Sequence, residues 1–366
     1  MRQTTSNTSK ILLSVIVPAY NVERFIKASL ESALEQPRAD EIELIVIDDG
    51  STDRTLELIL AVQRTPRGRN IKVIHQENRG VSAARNTAIL HATAPYIGFL
   101  DSDDVWAKSF TETIMPLLDA NVADIIEFNV GIIDAKGRVI DKVDLIDGSS
   151  VGPRVCNTSA LMEFARVCQA FPAARVYRRA LWDGIEFPAG RVYEDCSAIP
   201  RVYVRARTLH RLSEKLYFYR RRAGSITQTA TPHTVSSLAT SAEEALQFCN
   251  DGVYDVYWMA MFHKLFSYAC VQASRVHAHA FSESMTIVEA TAARYRTFVE
   301  QRKEDLPPLR FHSRIFISRR VFRAKWVLKR ALGRDLSLPP AATKSSPHVK
   351  PVEAEKLRGY PHDVSK

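Results

Sequence analysis

The first part of the chain alternates short apolar runs with segments in which apolar residues recur at helical spacing. Each run is mainly apolar on both faces, which is typical of strands buried on both sides of a sheet. Between the runs, Val22, Ile26 and Leu30 are examples of residues four apart that favour a helix packed on that sheet. The pattern predicts a parallel sheet covered by helices on both sides, with strands at ILLSVIVP, IELIVIDD, IKVIHQ and PYIGFLD.

Two local signals predict where these elements begin and end. Pro18 is expected to end the first strand, because proline has no backbone donor for a sheet. Ser51 or Thr52 is expected to be the N-cap of the second helix, over residues 50–63, because hydroxyl side chains accept bonds from first-turn amides.

Polar residues follow all four predicted strands, as PAYN, DDGSTD, ENRG and DSDD. In open sheets of this kind ligands bind beyond the carboxyl ends of the strands. The hexapeptide FLDSDD, residues 99–104, is the most unusual of these ends, because like charges so close together raise one another's pKa unless a cation or donors hold them. An Asp-rich turn that caps the next helix is the alternative for this hexapeptide alone.

The glycine motifs of two common phosphate-binding sites are absent from the sequence. A dinucleotide site requires GxGxxG after the first strand, and a P-loop requires GxxxxGK followed by Ser or Thr. The edge instead offers acids, which accept from a ribose hydroxyl or base imide and hold a divalent cation that neutralises a diphosphate. This chemistry favours a nucleotide-sugar site.

Composition limits the class of protein. The 366 residues, 46% of them hydrophobic, can bury a main domain and an appendage. The five cysteines are widely spaced without a CxxC pair, which argues against a disulfide framework or zinc site. The polar N-terminus and the lack of about 18 consecutive apolar residues predict a chain that stays in the cytoplasm.

The net charge of +9 comes from one segment. Nine Lys and Arg residues and no acid lie between residues 306 and 334, so the rest of the chain is nominally neutral (9 − 9 = 0). We therefore expect no protein-wide nucleic-acid surface.

The motifs SVIVPAYN, VIDDGSTD, NRGVSAARN and FLDSDD, in this order and at this spacing, resemble the nucleotide-binding half of family 2 glycosyltransferases, which are inverting enzymes with the α/β GT-A fold. The resemblance covers residues 11–110. FPAGRVYED and LYFYRRRAGSIT resemble the acceptor half of bacterial members, to about residue 230.

The resemblance implies roles at the nucleotide. Tyr20 and its neighbours would line the base pocket, and Asp49 would accept from a uracil imide, with Asp48 serving the structure behind it. Gly80 would let the chain pass close to the nucleotide. The residues expected to contact the nucleotide donor are Pro18, Ala19, Tyr20, Asp49, Gly80, Arg85, Asp101 and Arg222.

The same resemblance assigns the acids of the hexapeptide. Asp101 would face the ribose or the metal, and Asp103 would coordinate Mg²⁺ or Mn²⁺ bound to the diphosphate, whereas Asp104 is expected only to cap the following helix. Arg85 would support these acids or the diphosphate, with a helix-face ion pair as the alternative. The arginines at 220–222 would close over the diphosphate, and the sequence leaves open which one does so.

By the same resemblance, the catalytic base lies in YEDC. Asp195 would take the acceptor's proton, and Glu194 would orient Asp195 or the acceptor. An acidic pair at a helix N-terminus is the alternative for both. Tyr177 and Trp182 are candidates for stacking on a sugar, with burial in the core as the alternative. The AGR segment before Tyr193 is expected to be a mobile loop.

Helix-forming composition begins after about residue 235. We expect a buried helical hairpin, or a helix on a partner, there. His263, His277 and His279 lack acidic or Cys partners at ligand spacing, which argues against a metal site. Residues 313–334 predict a basic amphipathic helix suited to an anionic membrane surface, with packing on the domain as the alternative.

These observations predict a metal-dependent inverting glycosyltransferase, peripheral on the inner membrane face. The donor would be a nucleotide-diphosphate sugar, UDP-linked, and the acceptor a hydroxyl of a surface polysaccharide or lipid-linked glycan. A non-catalytic nucleotide-sugar-binding scaffold is the alternative. The predicted parts are a flexible N-terminus (1–10), a nucleotide-sugar half (11–110), an acceptor half (111–232), a helical extension (233–334) and a disordered tail (335–366).

Overall fold

The computed structural model describes residues 10–146, 148–222, 229–250 and 252–302. The predicted amphipathic helix at 313–334, the tail at 335–366 and all of the N-terminus before Lys10 lie outside these residues. The described strands are β1 (Leu13–Ala19), β2 (Ile42–Asp48), β3 (Ile71–His75), β4 (Tyr96–Phe99), β5 (Val105–Trp106), β6 (Ile125–Ile133), β7 (Val139–Val143), β8 (Gly152–Val155), β9 (Arg175–Arg178) and β10 (Thr208–Arg220). The described α-helices are α1 (Ile26–Leu34), α2 (Thr55–Gln63), α3 (Val81–Leu90), α4 (Phe110–Asp119), α5 (Thr158–Val167), α6 (Asp195–Arg205), α7 (Pro232–Gln247), α8 (Asp255–Ala273) and α9 (Phe281–Gln301).

The strands form one mixed sheet in the order β3-β2-β1-β4-β9-β6-β10-β5, with β7 added beside β6 and β8 beside β10. Strands β1 to β4 pair in parallel, as the buried apolar runs predict. β9 runs antiparallel to both β4 and β6, and β10 runs parallel to β6. The carboxyl ends of β1 to β4, β6 and β10 therefore meet at one edge of the sheet.

The prediction that Pro18 ends the first strand is wrong by one residue. Pro18 lies inside β1 and is in register with Ile47 of β2. Ile16 accepts from Leu100 on the β4 side, whereas Ala19 accepts from Asp49 on the β2 side. Because alternate residues of a strand face opposite neighbours, the missing donor of Pro18 faces the β4 side beyond the end of β4, where no ladder bond is lost.

The N-cap prediction for the second helix is also wrong. α2 begins at Thr55, and Asp53 accepts from the Thr55 amide at 2.9 Å. Ser51 instead accepts from the backbone of Asn21, and the amide of Thr52 donates to the Asn21 side chain at 2.8 Å. The polar residues after β2 therefore bind the loop after β1, which joins two of the strand ends that form the site.

A buried ionic cluster joins the strands of the acceptor half. Glu127 on β6 accepts from Arg211 on β10 at 2.8 Å and from Arg175 on β9 at 3.2 Å. Tyr203 of α6 also contacts Glu127. Burial alone would raise the pKa of Glu127, but the two arginines hold that pKa below its usual value.

Tyr177 and Trp182 lie in the hydrophobic core, which is the second of the two alternatives predicted for them. Both are almost fully buried. Their rings pack on Phe99 and on each other at centroid distances of 5.3 to 5.9 Å. They pack against Phe99, the last residue of β4, and are too buried to stack on a sugar.

Helices α7, α8 and α9 confirm the helical composition expected after residue 235. Their apolar residues belong to the same core as the sheet. Tyr257 of α8 donates to the carbonyl of Pro200 in α6, and Tyr268 donates to the carbonyl of Val167 in α5. The helices therefore pack on the half of the domain that carries the YED motif. No helix within the described ranges has the length and apolar character needed to cross a bilayer.

Candidate active site

The two acids at the end of β2 are both buried. Asp48 contacts His75 through Oδ2 at 2.6 Å, which agrees with the structural role expected for it. Asp49 accepts from the amides of Gly80 and Arg79 and from the side chain of Gln76, at 2.6 to 3.0 Å. Since a carboxylate has about four acceptor sites, Asp49 keeps one for a further donor while it holds the loop after β3.

Four more residues predicted at the nucleotide lie at the end of β1 and in this loop. Pro18 and Ala19 end β1, and the next residue, Tyr20, is 48% exposed. Gly80 has a φ of 85°, which disfavours any side chain. A Cβ built on Gly80 would meet no protein atom within 4 Å, so the space beside it is open.

Asp104 does not cap a helix, and this prediction is wrong. It is fully buried and is followed by β5, whereas α4 begins only at Phe110. Tyr217 donates to one of its oxygens and the amide of Arg220 to the other, both at 2.6 Å. Burial, together with the nearby charges of Asp103 and Asp101, raises the pKa of Asp104 well above its usual value.

Asp101 and Asp103 are each held by one arginine. Nη2 of Arg85 donates to Oδ1 of Asp101 at 2.8 Å, and Nε of Arg222 donates to Oδ2 of Asp103 at 2.6 Å. The two carboxylate side chains remain 32% and 22% exposed. The like charges of the hexapeptide are thus separated into one buried structural acid and two accessible acids with cationic partners.

The three arginines at the end of β10 have different partners. Arg220 is buried and donates from Nε to the carbonyl of Asp103 at 2.7 Å. Arg221 faces Asp141 at 3.8 Å. Arg222 is the one whose side chain contacts a carboxylate of the hexapeptide. This location favours Arg222 for the diphosphate role, which remains a prediction.

The accessible acids fit a hard divalent cation in their chemistry. Mg²⁺ and Mn²⁺ prefer oxygen ligands, and Mg²⁺ usually binds few carboxylates together with substrate phosphates and water. Within the described ranges, no group of three or more His, Cys, Asp or Glu side chains is placed to hold a metal. A cation here would therefore use Asp101 and Asp103 and take its remaining ligands from a bound diphosphate.

Arg85 connects the acids after β4 with the YED motif. It is 5% exposed, and its second terminal nitrogen, Nη1, donates to Oε1 of Glu194. Burial opposes the charge of Arg85, yet Asp101 and Glu194 raise the pKa of its guanidinium above the usual value. Arg85 is therefore not on an exposed helix face, and it places the hexapeptide and the YED motif on either side of one cation.

Asp195 is the first residue of α6 and is only partly exposed. Its Oδ1 accepts from the amide of Cys196 at 2.9 Å. Asp195 therefore also interacts with the N-terminus of α6, as the alternative interpretation of the acidic pair predicts. Glu194 makes no capping bond. Burial and the charge of Glu194 raise the pKa of Asp195 to about 7, against the opposing effect of Arg85. A carboxylate with this pKa can accept a proton near neutral pH.

The raised pKa predicts a pH-dependent cost in stability. An unfolded Asp has a pKa of about 4, so the folded state binds the Asp195 proton more tightly than the unfolded state does. Its contribution to stability falls as pH rises from about 4 through 7. We expect Asp195→Asn to melt a few degrees above wild type at pH 8, and this difference to shrink towards pH 4. Thermal melts from pH 4 to 8 measure it, with the exposed Asp183→Asn as control; a constant difference would contradict the shifted pKa.

Two residues that organise the site were given no role there by the sequence. Tyr217 accepts from the amide of Asp101 while it donates to Asp104, and it comes more than a hundred residues later in the chain. Phe25 lies under Arg220 and Arg222, with guanidinium-to-ring distances of 5.3 and 5.8 Å. Long-range pairing of β10 with β5 and β6, rather than a local motif, brings Tyr217 and these arginines to the hexapeptide.

Comparisons with known proteins agree with this fold. Residues 14–182 match the model of glycosyl transferase family 2. Glycosyltransferase GlyA of Streptococcus pneumoniae is 28% identical over 242 residues, covering 64% of this chain and 34% of the relative. Glycosyltransferase GlyG of the same organism is 29% identical, covering 60% of this chain and 73% of the relative.

S. aureus TarS, residues 1–349, in complex with UDP-GlcNAc, is similar in structure with a TM-score of 0.54. The match has 21% identity and covers 78% of this chain and 92% of that one. It confirms the predicted fold class, the GT-A type of mixed sheet with flanking helices. The chain spans only about a third of the length of GlyA, and the roles of individual site residues remain predictions.

Proposed function

We propose, from the premise that this chain is a family 2 glycosyltransferase, that it transfers a sugar with inversion from a UDP-linked donor to a hydroxyl of a surface polysaccharide or lipid-linked glycan. The observation that carries this proposal is the position of Arg85 between Asp101 and Glu194. Arg85 contacts one of the proposed donor acids and the residue next to the proposed base, which supports a single site that contains both.

An inverting transfer requires a base opposite the departing diphosphate. The acceptor hydroxyl attacks the anomeric carbon from one side while the bond to the diphosphate breaks on the other. Asp195 would accept the proton of that hydroxyl as the new bond forms. With a pKa of about 7, a substantial fraction of Asp195 would be ionised and able to accept a proton at neutral pH.

Glu194 and Arg85 would position this base. The charge of Glu194 raises the proton affinity of Asp195, and Arg85 limits that effect. Because Arg85 also contacts Asp101, a donor bound at the hexapeptide and the carboxylate of Asp195 would keep a constant separation. Such fixed geometry is a main source of rate enhancement in bimolecular reactions.

At the donor end, Tyr20 and Ala19 would contact the base, and Asp49 would use its remaining acceptor site for a uracil imide. The UDP-GlcNAc in the TarS structure supports a UDP-linked donor. Asp101 and Asp103 would hold Mg²⁺ or Mn²⁺, which when bound supplies neutralising charge to the diphosphate. Arg222 lies beside Asp103 and would bind the same diphosphate.

The proposals for the acceptor and for membrane association are based on the sequence. The resemblance of FPAGRVYED to bacterial members supports a surface glycan, and the basic segment at 313–334 supports association with an anionic membrane surface. A scaffold that binds nucleotide sugars without turnover is the competing function, because fold alone does not establish catalysis. Donor consumption separates the two.

Thermal shift with a panel of nucleotide sugars tests the donor. We expect a UDP-sugar to raise the melting temperature in the presence of Mn²⁺, because a ligand that binds only the folded state stabilises it. Excess chelator should remove the effect, and the same donor should then be consumed with a hydroxyl acceptor. A shift without consumption would favour the scaffold. No shift with any nucleotide sugar would contradict the donor assignment.

A further inference from the structure

A single glutamate of the helical extension binds both flanks of the YED motif. Oε1 of Glu244 in α7 lies 2.6 Å from Nη2 of Arg191, and Ser197 donates to its Oε2 at 2.6 Å. Arg191 comes four residues before Asp195, and Ser197 comes two residues after it. The carboxylate of Glu244 therefore spans the segment 191–197 that contains the proposed base.

The segment needs such a restraint because its backbone includes unfavourable conformations. Gly190 has a φ of 70°, and Tyr193, which is not a glycine, has a φ of 57°. A left-handed non-glycine residue costs of order 1 kcal/mol or more and persists only where its surroundings hold it. The strained residue lies two positions before Asp195, so relaxation of its backbone would move the carboxylate.

Further contacts with the helical extension act on the same segment. The amide of Val192 donates to Oγ of Ser237 in α7 at 3.4 Å, and Gln272 of α8 donates to the hydroxyl of Tyr193 at 3.5 Å. These bonds are long, whereas the two bonds of Glu244 are short. The AGR segment, which was expected to be a mobile loop, is thus bound to α7 through the ion pair of Arg191 with Glu244.

We propose that Glu244 is a positioning residue for the base, and that helices α7 and α8 complete the active centre of the transferase. This inference rests on the proposed function of Asp195. Glu244 lies outside residues 14–182, which match the family, and it is separated from YED by about fifty residues of sequence. It would act through Arg191 and Ser197, without contact to substrate.

The neighbouring Glu243 provides a matched control. It also lies on α7 and makes two 2.6 Å contacts, with Thr291 and Arg294 of α9. These contacts join two helices of the extension and do not involve residues 190–197. Glu243→Ala therefore tests the loss of a comparable ionic contact that does not involve the base.

Hydrogen exchange and kinetics of the full chain test the proposal together. In Glu244→Ala we expect faster amide exchange across residues 190–197, a fall in kcat of about 10- to 100-fold, the scale for misplaced reacting groups, and an unchanged KM for the donor. Glu243→Ala should leave exchange in this segment and kcat near wild type. Glu244→Gln, which keeps one acceptor oxygen, should give an intermediate kcat. It replaces Glu244→Ala in the test if the Ala variant unfolds.

The double variant Arg191→Met, Glu244→Ala should lose little more kcat than Glu244→Ala alone, because the two residues act through one contact. Unchanged exchange at 190–197, or faster exchange with unchanged kcat, would overturn the positioning role. A wild-type chain without turnover would instead contradict the proposed function, and the exchange result would still decide whether Glu244 restrains the segment.

Discussion

Asp195→Asn should lower kcat by roughly 100-fold or more, the usual scale for loss of a general base. Asparagine has the size of aspartate but cannot take up the acceptor's proton at neutral pH. The affinity for the UDP-sugar should change little, because the donor is proposed to bind Asp49, Asp101 and Asp103. Steady-state kinetics and donor titration of the same preparation measure the two quantities.

The pH profile and a nearby variant provide the controls for this result. In the wild type, kcat/KM should rise with pH through about 7, as Asp195 loses its proton. Asp183→Asn, an exposed acid before the same helix, should retain wild-type activity. If donor affinity falls together with turnover in Asp195→Asn, then Asp195 belongs to the donor site and another residue is the base.

Asp103→Ala should abolish metal-dependent transfer. Asp103 is proposed as a main protein ligand of the divalent ion, and its side chain is partly exposed and pairs with Arg222. We expect donor binding to lose its dependence on Mn²⁺ while the melting temperature stays close to that of wild type. Calorimetric titration of the UDP-sugar with and without Mn²⁺ measures this directly.

Asp141→Ala is the matched control for Asp103→Ala, because Asp141 faces the adjacent arginine, Arg221, at 3.8 Å. It should retain both transfer and the response to Mn²⁺. Chelator added to the wild type should reproduce the loss seen in Asp103→Ala. Full transfer in excess chelator would show that the acids after β4 serve another purpose.

The parallel half of the sheet could be predicted from the sequence because its determinants are local. Each of β1 to β4 is rich in aliphatic or aromatic residues, and each intervening segment has helical periodicity. Short connections between such elements bring the strand ends to one edge. That edge carries Asp49 and Asp101, so the same reasoning brought together the residues now proposed to bind the nucleotide donor.

The remaining parts of the site depend on contacts between residues far apart in the chain. Asp104 looks like a helix cap in its local sequence, but its partners are Tyr217 and Arg220 on β10. Ser51 looks like an N-cap, but it binds Asn21 in the loop after β1. In each case the side chain binds a residue far away in the chain and does not cap the nearby helix. The local sequence pattern contains no information about such a distant partner.

The link between the two halves of the site was partly foreseen. The resemblance placed Arg85 near the acids or the diphosphate, whereas its bond to Glu194 joins residues about a hundred positions apart. Glu244 was not predicted at all, since it lies in a helix whose sequence suggests only packing. Helical periodicity indicates which face is buried, but it does not indicate which loop a polar residue on that helix will bind.

The anomeric configuration of the first product tests the central proposal most directly. An α-linked UDP-sugar selected by thermal shift can be incubated with the full chain, Mn²⁺ and a hydroxyl acceptor, and followed by proton NMR from the first minutes. A single displacement assisted by Asp195 predicts a β-linked product in the wild type and roughly 100-fold slower formation of that product in Asp195→Asn. An α-linked product, or equal rates in the two proteins, would contradict inversion with Asp195 as the base.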